Sequence, residues 1–213
     1  MTLRQKAYRA IKNRIVYFEL KPGEKILESK IAQSLKLGRV PVREALAMLE
    51  SEKLITKSKG YGYVITRLND SEIDDYFTIR SALERVGAVL LIERITDSEI
   101  RKIKDHVEKA KKVYRSGELR KIIESDTKFH DLMYRATRSE PFYQTISTLL
   151  DKTIMMRAAA LQIQEGRESS IRDHLEISKA IESRNLDHLQ VLIGEHLKFA
   201  PRYYDSIKSL LFV

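Results

Sequence analysis

"GRVPVREALAMLESEKLI", residues 38–55, reads as a single short helix entered through a glycine and a proline. Pro41 suits the first helical turn, where its missing N–H is not needed and its fixed φ is already helical. Ala45, Leu46 and Leu49 then form the buried side. Upstream, "ESKIAQSLKL" (residues 28–37) gives another short helix. Before it, Leu3, Ala7, Ile11, Ile15 and Phe18 keep helical spacing until "KPGEK" (residues 21–25) interrupts it, so a first helix of about 17 residues is expected. Downstream, "TKSKGYGYVIT" (residues 56–66) changes period from 3.6 to 2 around Gly60 and Gly62, the mark of a two-stranded wing. Three helices and a wing make a winged helix-turn-helix, in which the start of the third helix enters the major groove of DNA. Arg39 and Arg43 occupy that start, four residues apart on one side, and a guanidinium can bond phosphates or the O6/N7 edge of guanine. Lys57, Lys59 and Gly60 would set the wing against the sugar–phosphate backbone or the minor groove.

Charge is distributed accordingly. Residues 1–67 hold 15 Lys and Arg against 6 Asp and Glu, whereas residues 68–213 hold 24 of each, so the whole excess of +9 lies in the first third. A basic segment of domain size joined to a neutral remainder is expected when one part meets a polyanion. Two domains are therefore expected, 1–67 and 68–213. The first also resembles a known family. "LGRVPVREALAMLESEKLI" followed by "GYGYV" is similar to the signature of GntR-family bacterial transcription regulators, in which Arg39, Pro41, Val42, Arg43, Glu44, Ala45, Leu46 and the wing Gly60 match in register. The resemblance implies that the two arginines and the wing glycine contact operator DNA. Gly38 and Val40 depart from the family pattern, standing where Ser or Thr and Thr are usual, and Val40 brings no side-chain oxygen for a cap or a phosphate.

Beyond "LNDSEID" (residues 68–74), where Ser71 and Asp74 suggest a capping box, only helices are expected: roughly 72–94, 97–115, 117–137, 140–164, 168–183 and 186–210, with breaks at Gly117, residues 139–141, Gly166 and Asn185. No strand pattern or solenoid repeat appears, so the fold class is mainly α, a winged domain followed by an all-helical bundle. Within "ESDTKFHDLMYRA" (residues 124–136), Asp126 and His130 sit on or beside the apolar stripe of Ile122, Phe129, Met133 and Ala136. A carboxylate facing a core needs a partner, and for these two alone a buried ion pair is favoured over a metal. His174 joins the stripe of Ile171, Leu175, Ser178 and Ile181, and His196 that of Leu189, Leu192, Ile193 and Ala200. Three inward imidazoles and a carboxylate form an N3O set for a divalent metal ion such as zinc, nickel or manganese. The same region resembles the FCD ligand-binding domain of the FadR subfamily through "DTKFH", "DHLEISKAIESRNLDHL" and "GEHL". In its metal-binding members the matching side chains hold the ion and a small carboxylate effector completes the coordination. The usual asparagine after the Asp-x3-His helix is replaced here by Ser139 and Glu140.

Arg80 falls on the stripe of Ile73, Phe77 and Leu83, where it would either grip an effector carboxylate or pair with Glu84 one turn on. His106 and His188 lie at stripe margins and read as surface histidines. The chain has no Cys, which excludes disulfides and thiolate sites. The apolar run at residues 87–92 is far shorter than the roughly 18 residues of a membrane span, and no secretion signal is visible, so a cytoplasmic protein with no membrane partner is expected. The combined expectation is a homodimeric regulator that binds a near-palindromic operator in double-stranded DNA and senses a small carboxylate at a metal. A metal-dependent hydrolase and a purely structural metal are the alternatives. An enzyme is not expected, because His-Glu-x-x-His, a Gly-rich phosphate loop and a nucleophile elbow are all missing.

Overall fold

The computed structural model describes residues 1–58, 60, 62–67, 69–198, 202 and 203, with backbone alone at 151 and 152. Two compact units divide between Asn69 and Asp70. The first contains α1 (Leu3–Val16), β1 (Lys25–Ile26), α2 (Glu28–Leu35), α3 (Arg39–Ser51), β2 (Ile55–Ser58) and β3 (Gly62–Ile65). The second contains α4 (Asp70–Arg94), α5 (Asp97–Ser116), α6 (Leu119–Ala136), α7 (Glu140–Ala160), α8 (Gln164–Glu182) and α9 (Leu186–Leu197). Among the described residues no helix is long and apolar enough to cross a membrane.

In the winged unit, α1 packs on α3 through Ala7, Ile11 and Ile15 against Val42, Ala45, Leu46 and Leu49, all inaccessible to solvent. Each buried Ile or Leu contributes about 1.5–3 kcal/mol, and together they fix the axis of α3. Leu3, expected on the buried stripe, is 53% exposed because it stands in the first turn, ahead of that contact. α1 is also shorter than expected: Phe18, at φ 61, turns the chain back before the Pro-Gly sequence is reached. Among the described residues the wing has three strands rather than two. β1, inside the stretch read as a helix stop, pairs antiparallel with β3 in the order β1-β3-β2. That extra strand explains Gly62, whose φ is +79 and where a Cβ would stand 2.8 Å from the Ile26 carbonyl oxygen. Helix α3 starts at Gly38 without a side-chain cap, as the absence of Ser or Thr implies.

In the bundle, α5 packs on α6 and α8, α4 packs on α7 and α9, and α8 packs on α9. Thr96 and Glu99 close a capping box on α5, Gly117 at φ 72 ends it, and Asn185 caps α9 by accepting from the His188 N–H at 3.0 Å. Helix α4 begins at Asp70, so Ser71 lies inside the first turn and is not the expected cap. The break between α7 and α8 falls at residues 161–163 rather than at Gly166, which is buried within α8. Arg167 holds that break by donating from Nη1 to the carbonyls of Leu161 and Gln162 at 3.1 and 2.8 Å. The expected end of the last helix and the stripe position Ala200 lie outside the described residues.

Gly87 allows α4 and α7 to approach closely. A Cβ there would meet Phe142 Cζ at 2.4 Å, and Phe142 is itself buried. Gly87→Val should therefore lower the unfolding free energy by about 1–3 kcal/mol through overpacking, read from the urea midpoint against the parent.

Candidate functional site

Stripe positions on α6, α8 and α9 bring His130, His174 and His196 together, each at most 4% exposed. One ligand atom from each lies within 4.8 Å of the others. The Nε2 atoms of His130 and His196 are 3.4 Å apart. Asp126 stands outside that triad's 4.8 Å set and adjoins it through His174, whose Nε2 lies 3.7 Å from Asp126 Oδ1.

Neighbouring groups orient the rings. The Tyr134 hydroxyl donates to Glu84 Oε1 at 2.7 Å, which leaves its oxygen to accept from His130 Nδ1 at 3.3 Å. Asp173 Oδ2 lies 3.3 Å from His196 Nδ1. Both arrangements place the proton on Nδ1 and turn the Nε2 lone pair toward the triad, the usual support of a ligating histidine by an outer carboxylate or hydroxyl. The His174 ring stacks on Phe129 at 3.9 Å between centroids. Burial is the main cause of the low proton affinity of His130 and His174, helped by Arg157 and the neighbouring imidazoles; both titrate well below the ordinary histidine range. Neutral imidazoles are the form a metal requires.

The carboxylate and the arginines complete the site. Asp126 Oδ1 accepts from the hydroxyls of Tyr114 at 3.2 Å and Ser170 at 3.4 Å, and its Oδ2 lies 3.0 Å from Arg157 Nε. Arg80 takes the helical alternative weighed above, donating from Nε to Glu84 at 2.7 Å. Burial opposes its charge, but Glu84 and Tyr134 hold it firmly protonated. Despite these contacts, four buried polar atoms here lack a hydrogen-bond partner: Asp126 Oδ2, His174 Nε2, Arg80 Nη2 and Arg157 Nη1. Two of these suit a cation and two suit an anion, and buried polar atoms in native proteins are rarely left so. The donor set therefore fits a divalent ion with an acidic ligand. A cavity of about 160 Å³ lined by His130, Tyr134 and Arg157 adjoins it.

Arg157, Tyr134 and Asp173 escaped the sequence reading. Arg157 carried a signal, a lone charge within the apolar run from Ile154 to Leu161, and Tyr134 stands one turn beyond His130. His106, read as a surface residue, is half-buried with Nε2 2.8 Å from the Ser125 carbonyl oxygen, while His188 is exposed as expected.

In the winged unit, Arg39 and Arg43 are exposed at the start of α3. Arg43 makes a fork with Glu28, Nε and Nη2 each 3.0 Å from a carboxylate oxygen. Lys57 lies 3.4 Å from Glu50 and remains largely exposed. Gly60, at φ +81, presents open space at the wing tip, and Lys59 lies outside the described residues.

The histidines also predict a pH dependence for the metal-free protein. Because their folded proton affinity is depressed, the unfolded chain binds more protons below about pH 6.5, so stability is full above that value and falls as pH falls through it. The unfolding free energy should drop by up to about 1.4 kcal/mol per pH unit for each histidine, measured by urea titration between pH 7.5 and 5 with chelator present.

Comparison with known proteins agrees with this division. The family of bacterial regulatory proteins, gntR family, matches residues 3–65, and the FCD domain matches residues 75–199. The Nta operon transcriptional regulator of Aminobacter aminovorans is 26% identical over 92% of this chain and 90% of its own. The HTH-type transcriptional repressor RspR of Escherichia coli is 24% identical over 91% of this chain and 85% of its own. The solved E. coli McbR/YncC has the same fold, with a TM-score of 0.83 at 18% identity over 98% of each chain. The chain belongs to the GntR family of bacterial transcription regulators, with an FCD domain following its winged helix-turn-helix.

Proposed function

We propose that this regulator, of FadR-subfamily type, binds a near-palindromic operator as a cytoplasmic homodimer and senses a small carboxylate at a divalent metal held by Asp126, His130, His174 and His196. The observation that carries the reading is the buried histidine triad beside four buried polar atoms of both characters that make no hydrogen bond. A bound divalent ion would supply a Lewis-acidic position for a carboxylate oxygen. The protein's own part is orientation. Tyr134 with Glu84, and Asp173, keep His130 and His196 in the ligating tautomer, while Arg157 and Arg80 offer buried guanidinium donors to the acid. Excluding water from the site strengthens each of these charge interactions.

In DNA binding, Arg39 has no acidic partner within 4.0 Å among the described residues and is the proposed base or phosphate contact. Arg43, preset by Glu28, accompanies it, and Lys57, Lys59 and Gly60 bring the wing to the backbone. Homodimerisation is supported by α4, where Tyr76, Ile79, Leu83, Val86 and Leu90 alternate at three and four residues, the heptad seam of paired helices. Ile79 and Val86 are each 54% exposed on that seam. The effector acts on DNA affinity only if it binds the DNA-competent arrangement with a different affinity.

Elemental analysis of tag-free protein reloaded with zinc, nickel or manganese should find about one ion per chain, and none in Asp126→Ala/His174→Ala. Anisotropy titrations on a duplex selected from random sequence should then show a mono- or dicarboxylate shifting operator affinity at least fivefold in the metal-loaded parent and not in the double variant. Metal uptake with no response to any acid would leave the ion structural; no uptake would remove the sensing mechanism. Arg39→Ala should weaken operator binding by about 1–3 kcal/mol and relax selectivity at one base, or lower the salt slope by about one if its contact is to phosphate. Ile79→Asp/Val86→Asp should sediment as a monomer where the parent sediments as a dimer.

A further inference from the structure

We propose a second ligand site in the bundle: the cleft between the end of α5 and the start of α8 binds a small organic dianion with an apolar body. The cleft encloses about 540 Å³, within the range of small-molecule sites, and Lys111, Arg115, Arg167 and Arg172 line it. One acid, Glu168, also lines it and accepts from Gln164 Nε2 at 3.0 Å. Lys111 engages Glu108 at 2.8 Å, and Arg167 directs Nη1 to the Leu161 and Gln162 carbonyls. Arg115 and Arg172 differ from these. Both are exposed, they face the cleft from different helices, and neither has an acidic partner within 4.0 Å among the described residues.

Like charges collected around a concavity repel one another unless an anion neutralises them. The uncapped first turn of α8 adds the positive end of its dipole, with Gln164 at its start also lining the cleft. Between the cations lie Tyr114, Ile171 and Leu175. An inorganic ion would leave this apolar wall unused, and a neutral apolar molecule would leave the guanidinium groups unmatched. A dianion with an apolar body uses both, with one fork on each acidic group. None of the lining side chains is a proposed metal ligand, so this site stands or falls independently of the metal. Tyr114 lies between the two sites, since its hydroxyl donates to Asp126.

The test is calorimetric titration of the full-length protein with naphthalene-2,6-disulfonate, a rigid dianion that chelates metals poorly, in chelator and after zinc loading. Saturable binding of one probe per chain is expected, at least tenfold weaker in Arg115→Gln/Arg172→Gln, whose side chains are exposed. Affinity should be unchanged in His130→Ala/His196→Ala, whose side chains do not line the cleft or contact Tyr114, which separates failure of the metal reading from failure of this one. The neutral isostere naphthalene-2,6-dimethanol should not bind. Absence of saturable binding, a loss below tenfold in the double glutamine variant, equal binding of the neutral isostere, or a loss instead in Arg39→Gln/Arg43→Gln would each overturn the site.

Discussion

Burying ionisable groups in an apolar bundle is the constraint around which the second unit is arranged. Asp126, Glu84, Arg80 and Arg157 are each at most 4% exposed, and an unpaired charge in such surroundings costs several kcal/mol. Helices α5, α6, α7 and α8 therefore each contribute a partner. α5 supplies Tyr114 and α8 supplies Ser170 to Asp126, α7 supplies Arg157, and α6 supplies Tyr134 to Glu84 on α4. These contacts add direction to hydrophobic packing, which by itself is non-directional. Tyr134 in turn orients His130, and Asp126 stands 3.7 Å from His174 Nε2, so the polar contacts run up to the histidine triad.

The winged unit solves the opposite problem. Its core is apolar throughout, from Ile11 and Ile15 on α1 to Leu46 and Leu49 on α3, and its charge is left outside. Tight α1–α3 packing gives the exposed arginines a rigid base, so their placement is inherited from the core beneath them. The Glu28 fork on Arg43 further restricts a long side chain, reducing the rotamer entropy that a DNA contact would otherwise cost.

Local patterns made much of this legible. Helical periodicity, Pro41 in the first turn of α3, Gly117 and Asn185 as helix ends, and the shift to period 2 before Gly62 are properties of neighbouring residues, and they identified the helices and the wing. The stripe positions of Asp126, His130, His174 and His196 were equally visible, because burial on an amphipathic helix is written in its spacing. Where local rules failed, a distant contact had intervened. β1 exists only because β3 lies beside it. What the order of residues determined, then, was which side chains face inward and which helix start carries the arginines. The tertiary fold decided what those side chains meet: His130 beside His196 from 66 positions away, Arg157 against Asp126, and Arg115 with Arg172 at the lining of one cleft. Periodicity encodes the direction of a side chain, but a partner on another helix is set by interhelical packing, which no local spacing records.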